Sequence, residues 1–323
     1  MNDPRIRIDV HAEDLDPAVV RAEIRRGLLK TPREVSCKFL YDDRGTALYE
    51  RICALPEYYP WRTERNLLAS VADRVAAVSD AAEVLEFGSG AGTKTLMLLD
   101  ALERRGRLKL YSPFDLNEKI VRRSADQLVA SYPGLRVHGV VGDFTKRVPL
   151  VPSGDRRLIA FLGGTIGNFR PDEAVAFLSR IAEKTAPGNC LLLGAILVTD
   201  RKRLVAAYDD AAGVSADFNR NILAVMNAML DGDFDPAAFA HRALWDERNL
   251  WIEMRLVSTR RQAVRLKALD LEMEIAEGEE IHTEISAKYD RAAVEGMLVR
   301  GGFRPLEWFE DPENLFALAL ARR

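Results

Sequence analysis

The most constraining stretch of this chain is a short apolar run, Glu83-Val84-Leu85, that ends in EFGSGAGTKT at 86–95. A strand that stops in a glycine loop and resumes as a helix makes a tight turn, with the backbone open to close approach by a ligand. Beyond it, apolar runs at 109–114, 136–141, 157–162 and 190–198 alternate with helical spacing at 93–105, 118–132 and 172–186. Such alternation predicts a doubly wound α/β fold, a parallel sheet with right-handed crossovers over both faces.

After Val198 the alternation stops. Residues 201–229 are helical in spacing, and 243–260 and 262–284 alternate as strands do. The N-terminal part is equally distinct: helical spacing over 14–35, then a segment at 38–64 dense in Phe, Tyr and Trp, as a pocket wall would be. The expected division is therefore discontinuous. Residues 1–62 and 200–287 form one domain; 63–199 and 288–323 form the sheet domain, closing with FRPLEWFED and LFALALAR as an antiparallel pair at its edge.

Composition excludes some classes. With 46 basic and 49 acidic residues well mixed, a net charge of −3 gives no electrostatic footprint for nucleic acid or a membrane surface. The start, MNDPRIRIDVHAEDLD, has no signal-peptide core, and no run approaches the roughly 20 apolar residues of a membrane span, so a cytoplasmic protein is expected. Cys37, Cys53 and Cys190 read as reduced, mostly buried thiols, and the four scattered histidines lack metal-ligand spacing.

Three ligands compete for the glycine loop. A P-loop wants glycine where Thr93 stands, and a dinucleotide site wants Gly or Ala there for helix packing. S-adenosylmethionine carries no pyrophosphate. Its ammonium suits an acidic residue before the glycines, where Glu86 stands; its ribose suits Asp115 after the second strand; its adenine suits Asp143 and Phe144 after the third. Acidic groups at the carboxyl ends of three strands stand where open α/β sheets bind ligands.

Five segments, KFLYDDRGTALYERICALPEYYPWRTE, LEFGSGAGTKT, FLGGTIGNF, YDDAAGVSADFNRNIL and EGEEIHTEIS, together resemble the histidine-specific N-alpha-methyltransferases of ergothioneine biosynthesis. The resemblance covers about residues 15–323. It implies transfer of three methyl groups from S-adenosylmethionine to the α-amine of L-histidine, through mono- and dimethyl forms, giving hercynine and S-adenosylhomocysteine. It also implies a Rossmann-like class I methyltransferase sheet, parallel with an antiparallel C-terminal hairpin, plus a discontinuous α+β substrate-binding domain. No metal, nucleic acid or membrane is expected, and the chain is expected to be a monomer.

By motif, Asn168 in TIGN and Tyr208 in YDD resemble the pair that holds the substrate's carboxylate and amine. Tyr41 and Tyr58 line the amine end, with Tyr41 and Asn168 nearest the chemistry and Tyr41 also on the cofactor. Glu284 and Ser286 in TEIS resemble the grip on the imidazole, with Met254 packed beside the ring. Gly88, Gly90, Lys94, Asp115, Asp143, Phe144 and Gly163 resemble cofactor contacts alongside Glu86, and Thr165 lies where cofactor and substrate meet. On pattern alone Tyr58 reads as core and Glu284 as a solvated strand residue; the resemblance reverses both. His282 is expected on the same strand face as Glu284, two residues away, without an assigned role.

The residue types suit the chemistry. The amine must be neutral to attack, and neutral partners such as Asn168 and Tyr41 do not hold it protonated as a carboxylate would. Aromatic faces favour the growing quaternary ammonium. The alternative is a relative acting on tryptophan or tyrosine, which would not need the Glu284 carboxylate. Adenine-amino methylation is disfavoured because GGTIGNF stands where an Asn-Pro-Pro-aromatic loop would be.

Overall fold

The computed structural model describes residues 3–14, 16–90, 92–148 and 153–323. The chain opens with β1 (Ile6–Val10), α1 (Pro17–Leu28), β2 (Arg33–Glu34) and α2 (Asp43–Ala54). A long helix, α3 (Tyr59–Ser79), leads into β3 (Glu83–Phe87), α4 (Leu96–Arg104), β4 (Leu110–Asp115), α5 (Glu118–Ser131) and β5 (Arg136–Val141). Then come β6 (Arg157–Phe161), α6 (Pro171–Glu183) and β7 (Cys190–Ile196). The insertion holds α7 (Arg201–Ala206), α8 (Val214–Leu230), β8 (Phe239–Asp246), β9 (Trp251–Ser258), β10 (Gln262–Leu266), β11 (Leu271–Ile275) and β12 (Glu280–Ala287). The chain closes with α9 (Arg291–Arg300), β13 (Arg304–Glu310) and β14 (Phe316–Arg322).

Two compact units result. The first comprises Met1–Leu15, Arg62–Val198 and Tyr289–Arg323; the second comprises Asp16–Trp61 and Thr199–Lys288. This corrects the expectation for residues 1–15. They belong with the sheet, because IRIDV pairs in parallel with β5, Ile6 opposite Val137 through Val10 opposite Val141.

The first unit is an eight-stranded sheet in the order β1-β5-β4-β3-β6-β7-β14-β13. All of its neighbouring pairs are parallel except the two that β14 makes, with β7 and with β13. Without β1, the order from β5 to β13 is 3-2-1-4-5-7-6, the class I methyltransferase arrangement. Every residue of β3, β6 and β7 is buried, as strands covered on both faces must be. One aromatic cluster fills a face of the sheet: Phe87, Phe114, Phe161, Phe169 and Phe177, with Ile166 and the α9 residues Val294 and Leu298. Strand order reverses at β3, between β4 and β6, and the glycine loop leaves the carboxyl end of that strand, where such sheets bind ligands.

The second unit is built on a four-stranded sheet, β2-β12-β9-β8, and a separate β10–β11 hairpin. Helix α8 buries Phe218, Ile222 and Met226. Its Asn221 donates to the Asp42 carboxylate (2.7 Å), which also caps α2 through the Gly45 N–H (2.7 Å). None of the three cysteines is in a disulfide; Cys190 is buried, while Cys37 and Cys53 are half-buried. Among the described residues, no helix is long and apolar enough to cross a membrane.

Candidate active site

The predicted site residues fall into two clusters, one in each unit. In the first, Gly88, Gly90 and Gly92 all have positive φ (66°, 50° and 68°), which side chains with a Cβ adopt poorly. The Gly88 N–H donates to the Phe114 carbonyl (2.8 Å), and the Gly90 N–H donates to the Asp115 carboxylate (2.9 Å). The other Asp115 oxygen accepts from the Asn117 N–H (3.0 Å). Burial raises the Asp115 carboxyl above its ordinary value, and the backbone N–H groups oppose that shift. A Cβ at Gly90 would meet no atom within 4 Å, so there is open space beside this carboxylate. Ala91 lies outside the described residues. Thr93, the residue that breaks both nucleotide motifs, is exposed in the turn before α4.

Glu86 is buried, and each of its oxygens accepts a hydroxyl hydrogen bond: one from Thr95 (2.5 Å), the other from Tyr111. Burial pushes its carboxyl up to about 7 against the pull of those two donors and of Lys94. A residue that sequence reasoning missed lies beside it. Glu64, wholly buried, forms an ion pair with Lys94 and accepts from the Gly163 N–H (2.6 Å). It also explains a glycine in mid-strand: a Cβ at Gly194 would lie 2.5 Å from the Glu64 carboxylate. Glu64 therefore ties the lysine of the glycine loop to the turn after β6. It closes the aromatic segment in the sequence, but nothing in the pattern marks it as buried.

After β5, Asp143 is buried and accepts from both the N–H and the hydroxyl of Thr145 (2.9 and 2.5 Å). Phe144 lies against the aromatic cluster, 5.8 Å from both Phe161 and Phe177 and 6.1 Å from Phe87. Its ring edge is 3.7 Å from where a Gly88 Cβ would stand. After β6, Gly163 and Gly164 take positive φ (78° and 66°); a Cβ at Gly164 would come within 2.7 Å of Ile196. Thr165 donates its hydroxyl to the Leu162 carbonyl (2.9 Å), and a short 3-10 turn, Thr165–Asn168, presents Asn168 half-buried.

In the second unit a chain of edge-on aromatic contacts links Phe218 to Tyr41 (5.4 Å), Tyr41 to Tyr49 (5.6 Å), Tyr49 to Tyr58 (6.1 Å) and Tyr58 to Tyr208 (6.1 Å). Tyr58 and Tyr208 are buried, whereas Tyr41 is exposed. Tyr208 and Ser286 share a hydrogen bond of 2.8 Å. A second missed residue, Lys288, donates to both hydroxyls and to the Ser286 carbonyl (3.0, 2.7 and 2.9 Å). Burial lowers its ammonium to about 7, opposed by the charge of Glu284. Asn168 belongs to the first unit and Tyr208 to the second.

The expectation for His282 is corrected. Strand β12 carries a bulge between His282 and Glu284: His282 stands opposite Arg255, while Glu284 stands opposite Met254. The extra residue, Thr283, reverses the alternation, so His282 and Glu284 face opposite sides of the sheet. His282 lies 4.0 Å from the Glu253 carboxylate; burial and Arg255 lower its imidazole. Glu284 and Met254 become direct cross-strand neighbours, with Ser286 further along the same face. Thr283 is held by donation to Asn219 (2.6 Å) and to the Met254 carbonyl (3.0 Å). Asn219 in turn donates to His241 Nδ1 (2.9 Å), and His241 Nε2–H donates to the Tyr208 carbonyl (2.8 Å). These partners define a neutral His241, whose imidazole burial already lowers.

The model of a family described as histidine-specific methyltransferase, SAM-dependent, matches residues 20–323. The chain is 43% identical to the histidine N-alpha-methyltransferase of Mycolicibacterium smegmatis, over 97% of each protein. It is 42% identical to the enzyme of that name from Mycobacterium tuberculosis, over 99% of this chain and all of the relative. Ergothioneine biosynthesis protein 1 of Neurospora crassa is 30% identical over 63% of this chain, which spans 24% of that longer protein. Among solved structures, the chain is similar to magnesium protoporphyrin IX methyltransferase from Synechocystis PCC 6803. The identity is 13% and the TM-score 0.47, over 88% of this chain and 97% of that one.

Proposed function

This chain belongs to the family of histidine-specific, S-adenosylmethionine-dependent methyltransferases, and we propose that it methylates the α-amino nitrogen of L-histidine three times, giving hercynine, the first step towards ergothioneine. The observation that carries this reading is the pairing of Glu284 with Met254 across β12 and β9, with Ser286 and its partner Tyr208 beside them. An imidazole has an N–H that needs an acceptor, a second nitrogen that needs a donor, and an apolar face. Carboxylate, hydroxyl and thioether meet those needs in turn.

The first unit suits S-adenosylmethionine. Asp115, next to the open space by Gly90, accepts from ribose hydroxyls; Phe144 offers a ring face, and Asp143 an acceptor, to adenine. Glu86, at the end of the strand that leads into the glycines, is the partner for an ammonium, and that cation would favour its ionised form. The cofactor supplies a sulfonium methyl group, which a neutral amine takes up with its lone pair while the C–S bonding pair passes to sulfur. The protein's own part is mostly positioning, worth up to about 7–11 kcal/mol in favourable cases. Neutral hydrogen-bonding partners leave the α-amine free to lose its proton to water before each transfer, so no strong base is needed.

Steady-state kinetics with Glu284→Ala test the substrate assignment. A lost bond to a charged acceptor costs about 1.5–3 kcal/mol, so kcat/KM for histidine falls by roughly 10- to 100-fold more than any residual activity on tryptophan. Equal losses on both substrates contradict the imidazole role.

A further inference from the structure

Lys288 is a buried cation whose three observed contacts are all neutral oxygens: Tyr208 Oη (3.0 Å), Ser286 O (2.9 Å) and Ser286 Oγ (2.7 Å). Below about pH 7, where it holds its proton, the ammonium has three N–H donors and no acceptor, so all three of its protons are committed. Each hydroxyl therefore receives a hydrogen bond from Lys288. Each still owns one proton, and one of the two is spent in the 2.8 Å contact between them. The phenol is the more acidic group and the better donor, so Tyr208 donates to Ser286. Ser286 Oγ then accepts from both Lys288 and Tyr208, both of its lone pairs are filled, and only its own proton is left to offer.

We propose that Lys288 is a positioning residue that makes Ser286 an obligate hydrogen-bond donor, and thereby selects a neutral ring with one acceptor nitrogen. The inference rests on the reading of this unit as the histidine pocket. It explains why a cation is buried beside a pocket for a cationic substrate family: with Ser286 limited to donating and Glu284 limited to accepting, the two ends of the pocket have opposite polarity. A ring that presents N–H on one side and a lone pair on the other satisfies both ends. An imidazolium, with N–H on both sides, leaves Ser286 facing a donor. A ring without nitrogens satisfies neither end, and an indole or a phenol, with a single polar group, cannot satisfy both.

The test is calorimetric binding, just below pH 7, of L-histidine and of β-(2-thienyl)-L-alanine, a five-membered ring of similar shape without ring nitrogens, to the full-length enzyme. The wild type should prefer histidine; if it does not, the histidine reading itself fails, and this inference with it. Given that preference, Lys288→Met should weaken histidine about tenfold, the cost of one misdirected hydrogen bond, and leave thienylalanine within about twofold. Ser286→Ala should do the same, and the double variant should be no worse than Ser286→Ala, because Lys288 acts through Ser286. Lys288→Gln, whose amide keeps two N–H donors, should retain part of the preference and provides the readout if the methionine variant does not fold. Equal weakening of both ligands, or losses that multiply in the double variant, overturn the proposal.

Discussion

Two buried ionisable residues, one in each unit, carry opposite penalties at neutral pH. The carboxyl of Glu86 is raised by burial from its ordinary 4.5 to about 7. The folded protein therefore keeps a proton there that the unfolded chain has lost, and stability falls as pH rises from about 4.5 to 7. Glu86→Gln has no such titration. Its melting temperature relative to wild type should rise across that window and level off above it; a flat difference contradicts the assignment. Lys288 runs the other way, because burial lowers its folded value from 10.5 to about 7. Between those values the unfolded chain holds the proton and the folded one does not, so stability rises with pH. The gain of Lys288→Met over wild type should be largest below about pH 7 and shrink towards pH 10. Neither residue's environment is readable from sequence. Glu86 is legible as an acidic residue before glycines, but its hydroxyl partner Tyr111 is twenty-five residues away. Lys288, just past a motif that stands out, carries no pattern of its own.

At the scale of elements, the β-bulge in β12 decides which side chains the pocket receives. A strand with Thr283 in regular pairing, without the bulge, would place His282 and Glu284 on one face, which is what simple alternation predicts. Asn219 and His241 fix the extra residue by hydrogen bonds that reach as far as the Tyr208 carbonyl. Deleting Thr283 should remove the bulge yet leave His282 and Glu284 on opposite faces, now as adjacent residues of a regular strand, with Glu284 still opposite Met254 and on the same face as Ser286. Histidine binding, measured by calorimetry, should then be kept within about tenfold, and S-adenosylmethionine binding on the same protein within about twofold, since its residues lie in the other unit. Loss of histidine affinity in a deletion variant that still binds S-adenosylmethionine contradicts this role for the bulge. Alternation over 262–284 revealed strands, but hydrophobic period cannot reveal an inserted residue, because a bulge is specified by tertiary partners such as Asn219. The glycine loop is the opposite case. Its positive φ values at 88, 90 and 92 are written into the sequence as glycines.

Over the whole molecule, the alternating half of the chain was legible because buried parallel strands are continuous apolar runs and the C-terminal pair ends the sheet at its edge. The discontinuous second unit was legible as a break in that alternation. Residues 1–15 were misplaced because IRIDV is a five-residue edge strand whose partner lies some 130 residues on, and short alternation looks the same in any domain. Glu64 was missed for a related reason, since the partners that bury it, Lys94 and Gly163, are remote in sequence. What the two units share is a division of chemistry: acidic and aromatic groups around a glycine loop in one, and a carboxylate, a hydroxyl pair and a thioether in the other. Together with the family match, both sets point to a reaction on free histidine. The most direct measurement is incubation of the purified protein with isotopically labelled S-adenosylmethionine and a panel of free amino acids, read by mass spectrometry. The account predicts a gain of three methyl groups on histidine and on no other amino acid; turnover of tryptophan or tyrosine instead, or no turnover of histidine, would contradict it.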